Sequence, residues 1–514
     1  MAPLFSIVTP VYNPPLWALE ECIASVRSQT FSDWEWCIAD DCSTDENVLA
    51  RLRKLAKSDK RVRLVERETN GGIVEASNSA LAVSTGEFVA LLDHDDSLTP
   101  DALSVMSARI HVDPSVDYLY SDEDKIDESG RLFDTFRKPD FAPERLRGQN
   151  YLCHLSVIRR SLVEEVGGFR SGFDGSQDYD LFLRVTEKAR TIIHVPEVLY
   201  HWRTVEGSTS VNVAAKPYVF ESARKAVAEH CHRVGINAEV TILPSGFIKC
   251  HRIPGSRPLV SIVIPTRGDR KRIWGIETCL AANAVRSVFE RSSYGNFEII
   301  LVHDRTPVLD QELRPLLEDE RVTLVWYDKP FDFSDKCNVG FFASKGEVVL
   351  LLNDDIEIES PDWVETLISY LDDGDVAMVG PLTRLEDGRI QSAGHGHIGG
   401  PHNLGSGQDI NSFGPFGETL IAREVSGVTG ACAAISRKIY EELGGMSLAF
   451  PHSYNDVDFA LKALRMGYRV IWTPYARVWH FESLSRDPSV RSEEFEELYK
   501  RWGTEADCDD FTRT

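Results

Sequence analysis

The chain has 514 residues, of which 42% are hydrophobic and 26% charged. This length exceeds the ~100–200 residues of a typical single domain, and the balance of residues excludes a disordered or fibrous protein. Acidic residues outnumber basic ones, 80 to 56, for a net charge of −24. Such a surface repels phosphate polymers, so nucleic acid is excluded as an expected partner.

Short apolar runs alternate with amphipathic segments in the first half of the chain. The predicted strands lie at 5–11, 35–39, 61–65 and 87–92, and the predicted helices near 17–28, 46–57, 73–83 and 100–111. Thr99 and Pro100 are typical of a helix start, with threonine as the cap and proline in the first turn. Continuous apolar strands that alternate with helices predict an α/β fold with a mainly parallel sheet covered on both faces.

The sequence repeats itself at half-chain scale. Four blocks return in the same order: FSIVTPVYN (5–13) as VSIVIPTRG (260–268), STGEFVALLDHDD (84–96) as SKGEVVLLLNDD (344–355), GGFRSGFDGSQDYDLFLRV (167–185) as GGMSLAFPHSYNDVDFALKA (444–463), and VPEVLYHWR (195–203) as TPYARVWHF (473–481). This order predicts two homologous domains, 1–255 and 256–514, that join at the linker-like segment IPGSRP (253–258).

The offset between the two copies changes along the chain. It is 260 between Gly86 and Gly346 but 278 between Asp178 and Asp456. The second copy therefore carries an insertion, which we place in the glycine-rich and histidine-rich stretch around 391–417. The last block matches His201 with His480 at an offset of 279.

Acidic residues stand where the predicted strands end. These residues are Asp40-Asp41 and the DHDD run at 93–96 in the first copy, and His303-Asp304 and Asn353-Asp354-Asp355 in the second. Ligands of open α/β sheets bind beyond the carboxyl ends of strands, and grouped carboxylates need a cation among them. A helix cap is the alternative for a single aspartate, but the recurrence of the cluster favours Mg²⁺ or Mn²⁺.

These motifs resemble the inverting family-2 glycosyltransferases of GT-A fold, and the likeness covers nearly the whole chain. It is carried by PVYN (10–13), IADDCSTD (38–45), the LLDHDD block with its DxD motif and SQDYD (176–180), then by IPTRG (264–268), LLNDD (351–355), YNDVD (454–458) and HFESLSR (480–486). The tandem arrangement, with YSDEDKID (120–127), is similar to bacterial enzymes that build O-antigen and other surface polysaccharides, often called rhamnosyltransferases. The resemblance implies two tandem Rossmann-like GT-A domains with mainly parallel sheets.

The resemblance also implies a nucleotide-sugar site in each copy. In the first copy the nucleotide-sugar residues would be Pro10, Tyr12, Asp41, Asp93 and Asp95, with Asp41 accepting a hydrogen bond from a uracil or thymine imide. In the second copy they would be Pro265, Thr266, Asp304 and Asn353. The implied donors are UDP-linked or dTDP-linked sugars.

Mn²⁺ or Mg²⁺ is the implied cofactor, a Lewis acid for the departing nucleoside diphosphate. The candidate metal ligands are Asp95, Asp96, His201, Asp354, Asp355 and His480. A histidine recurs near the end of each copy, and this recurrence favours a metal or diphosphate contact over a place in the core.

Inversion needs a base on the acceptor side of the anomeric carbon, and in the family an acidic residue downstream of the metal motif supplies it. Asp178, preceded by Gln177 where many relatives have glutamate, occupies that position in the first copy. Asp456, preceded by Asn455, is its partner in the second. Each aspartate also precedes a helical stretch, so a helix N-cap is the alternative, and we favour catalysis.

The second copy departs from the first at its predicted donor site. Asn353 replaces Asp93, Thr266-Arg267 replace Val11-Tyr12, and His303-Asp304 replace Asp40-Asp41. We therefore expect a bifunctional, metal-dependent hexosyltransferase with two sites for different donors or linkages, acting in polysaccharide biosynthesis. One alternative has a single catalytic copy beside an acceptor-binding scaffold, and another is a non-catalytic carbohydrate-binding assembly protein. A dehydrogenase is disfavoured because the first strand is followed by PVYNPP rather than a GxGxxG turn.

Location is predicted from what the sequence lacks. The longest apolar runs, EFVALL and EVVLLL, are far shorter than the ~20 residues of a spanning helix, and the amino terminus lacks the pattern of a secretory signal. The ten cysteines form no CxxC pair, which favours reduced thiols. We expect a cytoplasmic protein whose saccharide acceptor is lipid-linked and which reaches the inner face of the plasma membrane peripherally or through a partner transferase.

Overall fold

The computed structural model describes residues 2–204, 217–481 and 491–512, so residues 482–486 of the HFESLSR motif lie outside the described residues. The chain divides into two compact units. The first comprises Met1–Phe141, Gln149–Ile236 and Val240–Lys249, and the second Ala142–Gly148, Asn237–Glu239 and Cys250–Thr514. The boundary between residues 255 and 256 stays a prediction.

The first half of the chain forms a nine-stranded sheet and a two-stranded one. The strands are β1 (Phe5–Val11), β2 (Trp34–Asp40), β3 (Val62–Glu66), β4 (Phe88–Leu91), β5 (Ser97–Leu98), β6 (Tyr118–Ile126), β7 (Leu132–Phe136), β8 (Ser156–Arg159), β9 (Ile192–Arg203), β10 (Ala238–Ile242) and β11 (Ile248–Arg252). The helices are α1 (Leu16–Arg27), α2 (Glu46–Ser58), α3 (Gly72–Ala82), α4 (Ala102–Val112), α5 (Pro143–Gly148), α6 (Arg160–Glu165), α7 (Gln177–Thr186) and α8 (Pro217–Arg233).

The predicted strands and helices of the first copy are confirmed to within two residues at every end. The predicted cap at Thr99 is wrong, because α4 begins at Ala102 with Asp101 at the N-cap. The Thr99 N–H donates to the Leu199 carbonyl at 3.1 Å, which ties that residue to β9 and delays the helix.

The large sheet of the first unit is parallel on one side and mixed on the other. Its order is β3-β2-β1-β4-β8-β6-β9-β5, with β7 paired to β6. Strands β3, β2, β1 and β4 are parallel, as predicted from their apolar runs. Strand β8 is antiparallel to both its neighbours, and β6 and β9 are parallel to each other.

The second half of the chain contains fourteen described strands and six described α-helices. The strands are β12 (Val260–Thr266), β13 (Arg270–Ile273), β14 (Ile276–Cys279), β15 (Phe297–Asp304), β16 (Val322–Tyr327), β17 (Val348–Leu352), β18 (Ile356–Ile358), β19 (Val376–Arg384), β20 (Ile390–Ser392), β21 (His395–Gly396), β22 (His402–Asn403), β23 (Arg423–Glu424), β24 (Cys432–Ser436) and β25 (Arg469–His480). The helices are α9 (Leu280–Arg291), α10 (Phe333–Ala343), α11 (Trp363–Ser369), α12 (Arg437–Glu442), α13 (Asn455–Arg465) and α14 (Ser492–Trp502).

The sheet of the second unit repeats the topology of the first. Its order is β16-β15-β12-β17-β24-β19-β25-β18, with β20 paired to β19 and β23 to β25. Each strand occupies the place of its counterpart in the first sheet, and the directions of β15, β12, β17 and β24 match as well. The sequence repeat is therefore a repeat of the whole α/β fold.

A shared hydrogen-bond motif explains one recurring pattern of the two copies. The Ser6 hydroxyl donates to Glu35 at 2.7 Å and accepts from the Gly86 N–H at 2.8 Å. Ser261, Glu298 and Gly346 repeat both bonds in the second copy. A Cβ on Gly86 would lie 2.7 Å from the Ser6 nitrogen, so the close approach of the chain requires glycine.

The cores lie on both faces of each sheet. Strands β12 and β17 are buried at every residue, because helices cover both sides of a sheet whose central strands are parallel. All ten cysteine thiols are free. Within the described ranges, no helix has both the length and the apolar character needed to cross a membrane.

Candidate active sites

The carboxyl ends of β1, β2 and β4 lie at one edge of the first sheet because the three strands are parallel. Pro10, Asp93 and Asp178 line one cavity at this edge, together with His154. Tyr12, which is 45% exposed, and Asp41, which is buried, lie outside the lining of this cavity. The structure therefore brings only part of the predicted nucleotide site of the first copy into one cavity.

Asp41 follows β2 and is held by neighbouring groups of the protein. Its carboxylate accepts hydrogen bonds from Arg67 Nε at 2.8 Å and from the backbone N–H groups of Gly71 and Gly72 at 3.0 and 2.7 Å. These N–H groups lie at the start of α3, where they have no partner within the helix and favour an anion. Asp41 therefore holds Arg67 against α3, and its contact with a nucleobase stays a prediction.

Three groups that can ligate a metal converge beyond β4. Ligand atoms of Asp93, Asp96 and His154 all lie within 4.8 Å of one another, which no other trio of His, Cys, Asp or Glu in the described chain achieves. The Asp96 carboxylate is fixed by hydrogen bonds from the Tyr200 hydroxyl at 2.5 Å and the Arg203 backbone N–H at 2.7 Å. Two carboxylates and an imidazole form a donor set that suits Mn²⁺.

The pKa values of this cluster are shifted by burial and by the closely spaced charges. Burial, reinforced by the charges of Asp95 and Asp93, raises the pKa of Asp96 well above its usual range, and burial also raises the pKa of Asp93. Burial opposes protonation of His154, but Glu123, whose carboxylate lies 3.1 Å from Nδ1, and the neighbouring aspartates raise the pKa of His154 to about 9. Carboxyl groups that are costly to ionise together are stabilised by a positive charge between them.

Asp95 was predicted as a metal ligand but lies outside this converging trio. Asp95 Oδ1 instead lies 3.9 Å from Nε2 of the neighbouring His94. The trio instead contains Asp93, which was predicted to bind the nucleotide sugar. A metal contact of Asp95 stays a prediction.

Asp178 lies in the first turn of α7, where Ser176 is the N-cap residue. Its Oδ2 accepts a hydrogen bond from Asn150 Nδ2 at 3.0 Å. Burial raises the pKa of Asp178, although the Tyr179 N–H, the His154 charge and Asn150 all lower it. A carboxylate whose pKa moves toward neutral pH, and which shares a cavity with Asp93, is suited to accept a proton.

The strand registers show that the sequence match of His201 with His480 is wrong by one residue. Ser97 and Glu357 are equivalent, since each lies four residues beyond the first residue of its acidic motif. Ser97 pairs with His201, whereas Glu357 pairs with Trp479 and the preceding residue pairs with His480. The counterpart of His480 in the first copy is therefore Trp202.

This shift of one residue places His201 away from the acidic trio. Successive side chains of a strand point to opposite faces, and Tyr200 contacts Asp96. The His201 imidazole lies on the other face and hydrogen-bonds Asp124 at 2.6 Å. The imidazole that joins the carboxylates of the first copy belongs to His154.

The second unit has a cleft at the equivalent edge of its sheet. The predicted residues that line it are Pro265, Thr266, Asn353, Asp354, Asp355, Asp456 and His480. Asp304 is the predicted second-copy residue that lies outside this lining. The structure thus brings seven of the eight predicted second-copy residues to one cleft, and their roles stay predictions.

Asp355 and His480 lie close together in the cleft and could share a metal ion. Asp355 Oδ1 lies 3.3 Å from His480 Nε2, and both residues are buried. Within the described part of the chain, Asp355 Oδ1 and Asn353 Oδ1 are buried oxygens without a hydrogen-bond donor. Since buried acceptors normally have a partner, these oxygens fit a bound cation.

Asp354 has a different environment from Asp355. Its Oδ2 accepts a hydrogen bond from the Thr266 hydroxyl at 2.6 Å. Burial and the charge of Asp355 raise the pKa of Asp354 to about 7. The predicted metal contact of Asp354 stays a prediction, and the observed partner of its carboxylate is Thr266.

Asp456 lies in the first turn of α13, at the wall of the cleft. Its Oδ2 accepts from the Gly430 N–H at 2.8 Å and its Oδ1 from the Val457 N–H at 2.9 Å. The residue at the N-cap is Tyr454, so the predicted alternative of an N-cap aspartate is wrong here, as it is for Asp178. Two backbone donors therefore orient the Asp456 carboxylate.

The second aspartate of each motif is structural. Asp180 and Asp458 are both 0% exposed. Asp180 accepts hydrogen bonds from Arg184 at 2.7 and 3.0 Å, and Asp458 from Trp502 Nε1 at 2.9 Å. In SQDYD and YNDVD, the first aspartate lines the cavity and the second anchors the helix.

Sequence reasoning missed Lys336, which lies on α10. Its side chain is fully buried, its Nζ donates to the Thr266 carbonyl at 2.8 Å, and it forms an ion pair with Asp304. Lys336 therefore neutralises Asp304 in the second copy, whereas Arg67 neutralises the equivalent Asp41 in the first. A lysine within the largely apolar run KCNVGFFA was the available signal.

Sequence reasoning also missed His154, which precedes β8. Its ring stacks on Tyr200 with centroids 4.6 Å apart. The histidine stands in an otherwise largely apolar run, YLCHLSVI, which was the one local sign of a role.

Comparisons with known proteins agree with this architecture. The sequence model of glycosyl transferase family 2 matches residues 6–167 and 261–444. The chain is 40% identical over 98% of its length to the uncharacterized protein y4gI of Sinorhizobium fredii, of which it covers 56%. It is 34% identical over 94% of its length to the O-antigen biosynthesis protein RfbC of Myxococcus xanthus, of which it covers 38%. The chain thus spans about half or less of these relatives.

A solved structure, that of S. aureus TarS, is 24% identical with a TM-score of 0.36, and the match covers 45% of this chain and 39% of that one. This score is too low to support an argument from likeness. The two family matches, one on each α/β unit, identify the chain as a member of glycosyl transferase family 2 with two tandem domains.

Proposed function

We propose that the chain is an inverting glycosyltransferase that moves sugars from UDP-linked or dTDP-linked donors to a growing bacterial surface polysaccharide. The observation that carries the proposal is the cleft of the second unit, where Asn353, Asp355, Asp456 and His480 meet beyond the strand ends. The relative from Myxococcus xanthus supports a polysaccharide of O-antigen type. Rhamnose is one candidate sugar, and capsule is a second candidate product.

The proposal includes a divalent ion in each copy. Asp355 and His480 would hold Mn²⁺ or Mg²⁺ in the second copy, and Asp93, Asp96 and His154 would hold it in the first. A bound ion would neutralise the charge that develops on the departing nucleoside diphosphate. We therefore propose that the enzyme depends on a divalent metal.

Asp456 is the proposed base of the second copy. Its carboxylate is oriented by the Gly430 and Val457 N–H groups and borders the cleft. It would take the proton of the acceptor hydroxyl as the hydroxyl oxygen attacks the anomeric carbon on the face opposite the diphosphate. This attack inverts the anomeric centre, and Asp178 would do the same in the first copy.

The nucleoside would lie against the ends of β1 and β12. Pro10, Tyr12 and Asp41 belong to this region in the first copy, and Pro265, Thr266 and Asp304 in the second. Asp41 is paired with Arg67, but Asp304 is paired with Lys336. This exchange of the cationic partner supports different donors for the two copies.

A difference between the two cavities supports the alternative in which only one copy is catalytic. In the first unit, the rings of His154 and Tyr200 stack next to Asp93 and Asp96, whereas the cleft of the second unit is larger and lined by more polar residues. In that case the second copy catalyses transfer and the first binds the acceptor. A carbohydrate-binding assembly protein without catalysis would turn over no donor.

The proposed location of the protein is the cytoplasm. A lipid-linked acceptor would bring it to the inner face of the plasma membrane, directly or through a partner transferase. The net charge of −24 makes direct attraction to anionic lipid weak, which favours the partner.

The test is release of nucleoside diphosphate by the purified chain with Mn²⁺ or Mg²⁺ and a panel of nucleotide sugars. We expect Asp178→Asn and Asp456→Asn each to abolish turnover of a different donor. The matched control is Asp387→Asn, which removes an exposed carboxylate paired with Arg389 and should change nothing. Full turnover of every donor by both variants would show that the base assignments are wrong.

A further inference from the structure

The insertion in the second copy builds part of the cleft. Thirty-nine residues lie between Ser392 at the end of β20 and Cys432 at the start of β24, whereas nineteen lie between Phe136 and Ser156 in the first copy. The inserted segment contains a short antiparallel ribbon, β21–β22. Side chains from this segment that line the cleft are His395, Pro401, His402 and Asn403.

The ribbon places two unsatisfied polar side chains next to each other. His395 and Asn403 are direct cross-strand partners, and such partners lie on the same face of a ribbon. His395 is 6% exposed, and its Nδ1 has no hydrogen-bond partner among the residues that the structure describes. The same holds for the buried Oδ1 of Asn403. Buried polar atoms without partners indicate a ligand, because leaving them unpaired is costly.

His395 packs beside Gly427, which borders the helix that carries Asp456. If Gly427 carried a Cβ atom, that atom would lie 2.9 Å from His395 Nδ1 and 3.3 Å from the Cβ of Ala460. Ala460 is one turn beyond Asp456 on α13. The His395 N–H donates to the Gly427 carbonyl at 2.7 Å, which fixes the ribbon there. The first copy differs, since Asn150 hydrogen-bonds Asp178 directly.

The chemistry of the ribbon favours a neutral polyhydroxyl ligand. Burial lowers the pKa of His395, so its imidazole is neutral at neutral pH and suits a hydroxyl better than a phosphate. The Asn403 amide is uncharged as well. Among the described residues, the histidines of the insertion are not part of a group of three ligand atoms within 4.8 Å of one another. A metal ion is therefore not the favoured ligand here.

We propose that the ribbon β21–β22 binds the saccharide acceptor of the second copy, with His395 and Asn403 hydrogen-bonding its hydroxyl groups beside Asp456. The inference rests on the proposed transferase function and names the residues that select its acceptor. Sugar hydroxyls both donate and accept, which matches an imidazole nitrogen and an amide oxygen. Tyr454 also lines the cleft, where its aromatic ring would contact the sugar.

The test uses the full-length chain with Asp178→Asn, so that turnover reports the second copy. The probes are p-nitrophenyl glycosides of rhamnose, glucose, galactose and N-acetylglucosamine, offered as acceptors with each nucleotide sugar. We expect at least one glycoside to accelerate nucleoside diphosphate release. Asn403→Ala and His395→Gln should each raise the KM for that glycoside about tenfold and the donor KM less than twofold.

The matched control is Asn411→Ala, an exposed asparagine of the same insertion that hydrogen-bonds Asp409. It should leave both KM values unchanged, and circular dichroism melts verify that all variants fold. An unchanged glycoside KM, an equal rise in donor KM, or a chain that releases nucleoside diphosphate but responds to no glycoside overturns the proposal.

A second readout separates this inference from the proposed function. If no donor releases nucleoside diphosphate under any condition, the transferase proposal fails, and saturation-transfer NMR then measures glycoside binding alone. A glycoside signal that Asn403→Ala abolishes and Asn411→Ala retains supports the ribbon as a saccharide site. No signal with the unsubstituted ribbon, or a signal that Asn403→Ala leaves intact, overturns it.

Discussion

Asp180 offers a test of stability that is separate from activity. Its carboxylate is 0% exposed and accepts hydrogen bonds from Arg184 Nε and Nη2 at 3.0 and 2.7 Å and from Arg170 Nε at 3.1 Å. The Arg184 side chain is 7% exposed, whereas Arg170 is 35% exposed and also contacts Glu229 at 2.8 Å. Asp180→Asn therefore leaves one buried guanidinium without its counter-charge.

The expected loss follows from these exposures. Removing one partner of a buried ion pair costs ~3–5 kcal/mol. Because Arg170 keeps Glu229 and some solvent, we expect the lower end, about 3 kcal/mol. For a unit of this size each kcal/mol corresponds to ~2–4 °C, so the melting temperature of the first unit should fall by roughly 6–12 °C.

Scanning calorimetry of the full chain is the assay, because two compact units need not unfold in one transition. The control is Glu221→Gln, which removes an exposed arginine pair with side chains 58% and 34% exposed and should cost less than about 1 kcal/mol. If Asp180→Asn lowered the free energy of unfolding no more than the control does, that result would refute the reasoning. So would a variant that melts normally but loses turnover.

Three further predictions follow from the sites and the ion pairs. Asp456→Asn should lower acceptor-dependent turnover ~10²–10⁴-fold without changing the melting temperature. A lower melting temperature that accounts for the lost turnover would assign Asp456 a structural role instead. His480→Gln should raise the Mn²⁺ concentration for half-maximal turnover ~10–100-fold, whereas His201→Gln should not, and equal shifts would contradict the strand registers. Hydrogen bonds from Arg190 lower the pKa of Asp117 to about 2, so its stabilisation is present above pH ~4 and lost as the pH falls toward 2. The difference in unfolding free energy between wild type and Asp117→Asn, from urea titrations at pH 5 and 2.5, should shrink by roughly 1.5 kcal/mol, and a constant difference would contradict this assignment.

The elements and the repeat were predictable because their signals are local. The apolar runs of β1 and β4 and the amphipathic pattern of α2 are read within a few residues, and their ends fall within two residues of the prediction. Matching motifs in the same order then predicted two copies of one fold, which the two sheet orders confirm. The cleft of the second unit was located for the same reason, since its residues follow the ends of predicted strands.

The histidines were predicted less well because their positions depend on pairing across the sheet. Matching His201 with His480 ignored one residue of offset, and one residue reverses the face of a strand. His154 acquires its role from Glu123, which lies 31 residues earlier in the chain. Lys336 likewise acquires its role from Asp304, on a different strand.

By itself the sequence determined the α/β class, the duplication and the acidic strand ends, since alternating apolar runs and repeated motifs need no knowledge of distant contacts. The tertiary structure decided which side chains meet. It alone assembled Asp93, Asp96 and His154 into one cluster and brought the inserted ribbon of His395 and Asn403 to the wall that Asp456 shares. The reason is physical, because strand register and helix packing set the direction of each side chain, and neither is written in a local pattern.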